Sequence, residues 1–211
     1  MTIFYFLRHA DARAGNIRHD SKFPLTDLGK YQAKKTGLHF SNTEFDACVG
    51  SPAKRVRQTL EIVAEDTPIF INNWNILREI KRSVDGLKYE DVPDYSIERD
   101  KAIENREKNW KYVSTDESFW EIFLRACEIK YQLLKEFKDQ VCLVGGHSQV
   151  FSMLHTSFEY GDEPSSEQLF TGFNKFFLKP AAYSEVTWNY RKGWTIKSFN
   201  KISHLNSPAS N

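Results

Sequence analysis

Apolar residues run without a break from Ile3 to Leu7 and stop at Arg8. A run this short and unalternated predicts a strand buried on both faces. Val141 to Val144 repeats the pattern, ending at Gly145-Gly146; Phe45 to Val49, interrupted only by Asp46, reads as a second buried strand, and Pro68 to Ile71 suggests a further one. Between the runs lie helical segments. One runs from Leu25-Thr26-Asp27 to Phe40, with Thr26 placed as its N-cap. Another starts at Ser51-Pro52, serine as cap and proline in the first turn, and runs to about Ala64. The strongest amphipathic pattern is Phe119 to Phe137, where Phe119, Ile122, Phe123, Ala126, Ile129, Leu133, Leu134 and Phe137 share a face. Ser148 opens a short helix. Ser184 to Tyr190 and Trp194 to Phe199 flank Arg191-Lys192-Gly193 as an antiparallel hairpin. The tail from Ser207 is small, polar and frayed.

Strands alternating with helices predict an α/β/α sandwich on a mostly parallel sheet, made mixed by the C-terminal hairpin. Residues 73–115 break the rhythm, with weak periodicity and many charges. They read as an inserted segment, lid-like or simply solvated, with one polar helix near Ile97 to Trp110.

The chain of 211 residues suits a single domain carrying that insertion. At 40% hydrophobic and 27% charged it is globular in composition, and a formal charge of +1 gives no basic footprint for nucleic acid. Cys48, Cys127 and Cys142 form neither a disulfide framework nor a zinc spacing. No leader-like or membrane-length apolar stretch is visible, so the expectation is a cytoplasmic protein with no membrane partner. Oligomeric state is not encoded in any motif.

Chemistry gathers at the strand ends, where ligands bind in such sheets. Arg8-His9 follows the first strand, Arg55 lies in the helix after the second, Glu79 follows the third, and His147 follows Gly145-Gly146. These residue types suit phosphoryl transfer. A phosphomonoester carries about −1.5 to −2 charge, which arginine forks hold. A neutral imidazole is a competent nucleophile, and cationic neighbours keep it unprotonated. A second histidine donates to the phosphoryl oxygens, and a carboxylic acid serves the leaving group and then water. The scheme needs no metal or other cofactor.

Leu7-Arg8-His9-Ala10, Leu25-Thr26-Asp27-Leu28-Gly29-Lys30-Tyr31-Gln32-Ala33, Ser51 to Thr59, Gly146-His147 and Ile202-Ser203-His204-Leu205 together resemble the histidine phosphatase superfamily, the phosphoglycerate-mutase-like group. The stretches Arg8 to Ala12 and Leu77-Arg78-Glu79 look closer to its small phosphohistidine-phosphatase-like branch than to true mutases. The resemblance covers nearly the whole chain in the right order. It implies a phosphohistidine intermediate and no cofactor, with His9 as nucleophile, Arg8, Arg55 and His147 as phosphate ligands, and Glu79 as proton donor. Asp11 and Asp20 stand as alternative donors. Asn16 is a further phosphate ligand on this reading, although the family's asparagine falls one position earlier. Ala10 replaces a usual glycine, and the glycine after the acid comes late, at Gly86.

The expected activity is metal-independent hydrolysis of a phosphomonoester or phosphohistidine, on a small metabolite or a phosphoprotein. A phosphoglycerate-type mutase and an inactive phosphate-binding module are the alternatives. Ser148 reads as a helix cap, His204 as a tie for the terminal segment, and Trp74, Trp110 and Trp120 as packing residues.

Overall fold

The computed structural model describes residues 1–12, 17, 21–65 and 69–206. In chain order they form β1 (Thr2–Arg8), α1 (Asp27–Phe40), β2 (Ala47–Gly50), α2 (Lys54–Val63), β3 (Ile71–Asn73), α3 (Pro93–Glu104), α4 (Phe119–Glu136), β4 (Val141–Gly146), α5 (Ser148–Tyr160), α6 (Ser166–Lys175), β5 (Tyr183–Asn189) and β6 (Gly193–Lys201). The strands make one sheet in the order β3-β2-β4-β1-β5-β6. Pairings β2–β3, β2–β4 and β1–β4 are parallel, while β5 runs antiparallel to both β1 and β6. The α/β class and the mixed sheet agree with the sequence reading.

Successive strand side chains point to opposite faces, and the core divides accordingly. Phe4, Phe6, Val49, Cys142 and Val144 pack on one side with Ile122, Phe123 and Ile129 of α4 and Phe151 and Leu154 of α5. Leu7, Cys48 and Leu143 face the other way, against Ala33 and Phe40 of α1 and Val56 and Leu60 of α2. Two helical layers thus enclose the sheet. A Cβ on Gly145 would lie 2.7 Å from a Leu60 methyl, and one on Gly50 2.4 Å from it. Glycine at both strand ends therefore lets α2 sit close to the sheet, which carries Arg55 over the strand termini.

Several elements differ from expectation. The helix after β2 starts at Lys54, with Ala53 at the cap and no side-chain cap bond; Ser51 is occupied elsewhere, as described below. β3 lies at Ile71–Asn73, and the start of the expected strand, Pro68, lies outside the described residues. α3 begins at Pro93, since proline at the first turn lacks only an N–H that no helix position would use. α6, closed by a reciprocal Ser165–Gln168 capping box, was not anticipated. The segment after β3 is partly built into the core: Leu77, Ile80 and Ala102 are buried among α4-side residues. Residues from Ser207 onward lie outside the described set.

Candidate active site

β1 and β4 are parallel neighbours, with Arg8 opposite Gly146. The chain leaves β1 toward the α1 layer and leaves β4 toward the α5 layer. Such a switch point opens a crevice at the strands' carboxyl ends. His9 and His147 stand on its two sides, their ring centroids 5.4 Å apart. The His9 amide donates to the Gly146 carbonyl at 3.0 Å, which locks the two exits together.

The loop after His9 is held by residues of the second motif. Thr26 caps α1, its hydroxyl accepting from the Gly29 amide at 3.0 Å. The Gln32 side chain accepts from the Asp11 amide at 2.9 Å. Gly29 is obligatory here, because a Cβ would stand 2.1 Å from the Asp11 carbonyl oxygen. Thr59 of α2 accepts from the Ala10 amide at 3.1 Å and donates to the Arg55 carbonyl at 2.7 Å.

These contacts fix the His9 tautomer. Its Nδ1 lies 2.8 Å from the Ala10 carbonyl, which only accepts, so Nδ1 carries the hydrogen. Arg55 Nε donates to Nε2 at 3.2 Å, so Nε2 presents a lone pair. Burial lowers the His9 pKa well below 6.5, and the charges of His147, Arg55 and Arg8 lower it further against the Ala10 carbonyl. The ring is neutral at physiological pH.

Arg55 is fully buried and lies 3.2 Å, from Nη2, from His147 Nδ1. His147 Nε2 is hydrogen-bonded to Ser51 Oγ at 2.8 Å. Glu79 Oε2 lies 3.4 Å from His147 Nδ1 and 3.8 Å from Arg55 Nη2. Burial by itself would raise the Glu79 carboxyl; the charges of His147, Arg82 and Arg55 and the Ile80 amide outweigh it and bring it to about 2. Four of the sequence-predicted residues, His9, Arg55, His147 and Glu79, therefore form one network.

Arg8 adjoins His9 at the end of β1 and contributes one of the charges that lower the His9 pKa. Its Nη1 donates to the Leu178 carbonyl at 2.6 Å, and its guanidinium carbon lies 5.2 Å from the centre of the Phe177 ring. Ser148 donates to the same carbonyl at 3.0 Å. Ser148 is the first helical residue, with His147 at the cap, so the predicted capping role belongs to its neighbour. Asp11 accepts from the Thr26 hydroxyl at 2.8 Å and supports the α1 cap. Asn16 and Asp20 lie outside the described residues. Among the described residues, no three His, Cys, Asp or Glu side chains converge as a metal centre would require.

The loop bearing Glu79 is stapled on both sides of that residue. Arg125 of α4 donates through Nη1 to the carbonyls of Ile76 and Arg78, both at 2.9 Å, and forms a bidentate pair with Glu117 at 3.0 and 2.9 Å. Glu117 also accepts from the Lys81 amide at 2.7 Å and from Arg78 Nη2 at 2.9 Å. Asp116 accepts from the Ser83 amide at 2.7 Å. Arg82 donates to the Gln149 side chain at the start of α5.

A model of the histidine phosphatase superfamily, branch 1, matches residues 4–202. The chain belongs to that superfamily. It is 24% identical over 211 residues to an uncharacterized phosphatase, PhoE, of Bacillus subtilis, covering 97% of each chain. Among solved structures it is similar to Bacillus stearothermophilus YhfR, with a TM-score of 0.82, 20% identity and coverage of 97% and 100%. It is also similar to a phosphoserine phosphatase from Entamoeba histolytica in complex with 3-phosphoglyceric acid, with a TM-score of 0.79, 20% identity and the same coverage. None of these three is named a phosphohistidine phosphatase.

In this superfamily member a cavity of about 920 Å³ borders the network through Ser51, Arg55 and Glu79, with Asp85 also in its wall, while His9 and His147 are not among its lining residues. Burial raises the Asp85 carboxyl to about 6, with Glu79 adding to the effect and Arg82 opposing it. The sequence reading makes Ser51 a helix cap, whereas it is the partner of His147; Asp85 and the staple formed by Asp116, Glu117 and Arg125 are not marked in it. Arg125 carried a visible signal, a cation on the apolar face of the strongest amphipathic pattern. Two further histidines are structural: His155 is buried between the Phe151 carbonyl and Ser184 Oγ, and His204 is hydrogen-bonded to Thr36 at 3.1 Å, while His19 lies outside the described residues.

Proposed function

We propose that the protein is a metal-independent phosphatase that transfers the phosphoryl group of a small phosphomonoester to His9 Nε2 and then to water. The observation that carries this is the His9 tautomer: a buried, neutral imidazole whose lone pair is held in place by a guanidinium. When a phosphate dianion enters, Arg55 and Arg8 turn their N–H groups to its oxygens, and Nε2 is released toward phosphorus. The P–N bond forms as the P–O bond to the leaving group breaks. His147, steadied by Ser51, donates to the equatorial oxygens as charge builds.

Glu79 is ionised in the empty site. The incoming dianion offsets the charges of His147, Arg82 and Arg55, so binding lifts the carboxyl toward the range in which it carries a proton. It then protonates the departing alkoxide, and as carboxylate takes a proton from the water that cleaves the phosphohistidine. The segment 73–115 supplies Glu79 and Asp85 to the cavity wall, which supports its reading as a lid. Within the same proposal the location is cytoplasmic: the three cysteines are unpaired, and no described helix is long and apolar enough to cross a membrane.

The relatives' names support a phosphatase rather than a mutase, and the cavity suits a small metabolite better than a phosphoprotein. Purified protein should hydrolyse phenyl phosphate in excess chelator, and His9→Ala should abolish this. Activity that survives the substitution, or that chelator removes, contradicts the mechanism.

A further inference from the structure

The cavity wall is far more cationic than one phosphate requires. It includes six cations, Lys22, Lys54, Arg55, Arg57, Arg78 and Lys81, against the carboxylates of Glu79 and Asp85. Arg55 belongs to the reacting phosphate, and Arg78 is matched by Glu117 at 2.9 Å. Lys54, Arg57 and Lys81 are exposed, and among the described residues no carboxylate pairs with any of them. The whole chain carries a formal charge of only +1, so the excess is local and not a consequence of composition. Gathering like charges around one mouth is unfavourable in the empty protein and favourable once an anion sits there.

The cations also come from opposite walls. Lys54 and Arg57 lie three residues apart at the start of α2, on one side of that helix. Lys81 follows Glu79 on the facing loop, its amide held by Glu117 at 2.7 Å. Lys22 is brought in by the Lys54 amide, which donates to the Ser21 carbonyl at 2.9 Å. Arg55 lies within the same first turn of α2, so a molecule whose phosphate reaches Arg55 places its leaving group among these side chains.

We propose that Lys54, Arg57 and Lys81, with Lys22, form a second anion subsite, and that the substrate is a small phosphomonoester bearing a further carboxylate or phosphate on its leaving group. This rests on the phosphatase reading and deepens it by naming the substrate class. A volume of about 920 Å³ lies within the usual range for small-molecule sites, which favours a metabolite over a protein segment.

The test is kcat/KM across a matched series: phenyl phosphate, para-carboxyphenyl phosphate and para-phosphonophenyl phosphate. Both charged esters should exceed phenyl phosphate by about tenfold or more at low salt, with the margin shrinking as salt screens the rim. The carboxylate and phosphonate arms show which anion the subsite prefers. In the double variant Lys54→Gln/Arg57→Gln the ratio should fall several-fold toward unity, whereas Lys135→Gln, on the outer side of α4, should leave it unchanged. Equal kcat/KM for all three esters, or a ratio unmoved in the double variant while phenyl phosphate is still hydrolysed, overturns the subsite alone. No turnover of any ester overturns the phosphatase reading and the subsite with it. Preference for an acidic phosphopeptide over both charged esters overturns the assignment to a small molecule.

Discussion

Replacing Glu117 by glutamine separates holding the protein together from holding Glu79 in place. The change keeps the shape of the side chain but removes the charge that Arg125 meets twice, at 3.0 and 2.9 Å, and leaves an NH2 group facing donors. Breaking a buried ion pair from one side costs about 3–5 kcal/mol. Arg125 keeps two carbonyl acceptors, and Glu117 is partly exposed, so the lower end applies, about 3 kcal/mol. For a chain of this size that corresponds to a Tm lower by about 6–12 °C. The kinetic effect should depend on the leaving group, because the staple holds the loop of Glu79, the proposed proton donor. With phenyl phosphate, whose phenoxide needs a proton, kcat/KM should fall by about 10- to 100-fold. With dinitrophenyl phosphate, which departs unprotonated, it should fall by less than about threefold. Glu79→Gln should show the same dependence more strongly, and should also lower Tm, because its depressed pKa means that the charge stabilises the folded network. Equal slowing of both esters by Glu117→Gln would refute the positioning role, even with the expected thermal loss.

Gly29→Ala forces a methyl to within 2.1 Å of the Asp11 carbonyl, so the His9 loop or α1 must shift; a stability loss of about 1–3 kcal/mol should appear in denaturant melts, together with reduced turnover. Arg55→Met removes one of the charges that keep His9 unprotonated. The acid limb of the residual kcat/KM profile should therefore move to higher pH, and a fixed limb would remove Arg55 from that role. His155 is buried with its pKa lowered to about 4 from 6.5 by desolvation. Its neutral form is favoured by folding, so its effect is constant above pH 6.5, and stability falls as pH drops from 6.5 toward 4, by up to about 3 kcal/mol. Urea melts across that window should show the slope, and His155→Gln should flatten it.

His9 and His147 were legible because each directly follows a buried apolar run, and parallel strands deliver their exits to one rim; Arg55 and Glu79 lie further on, in the helix after β2 and the loop after β3. The arrangement that makes them work was less visible. Ser51 before Pro52 has the form of a helix cap, yet the helix begins at Lys54 and the hydroxyl holds His147 instead. The staple joins Ile76 to Ser83 with residues 33 to 49 positions away, beyond any local periodicity. Only Arg125, a charge among Ile122, Phe123, Ala126 and Ile129, marked a buried partner in advance. The helix at Pro93–Glu104 was displaced in the reading because its periodicity is weak and its first-turn proline marks a start rather than a break.

The central claim is that His9 Nε2 accepts the phosphoryl group. Rapid quench of the protein with radiolabelled para-nitrophenyl phosphate into alkaline denaturant, followed by peptide mapping at alkaline pH, tests it directly. The label should be acid-labile and base-stable, on the peptide containing His9, at up to one per chain and absent from His9→Ala. Turnover without any labelled protein on the millisecond scale, or a label on another residue, would contradict it.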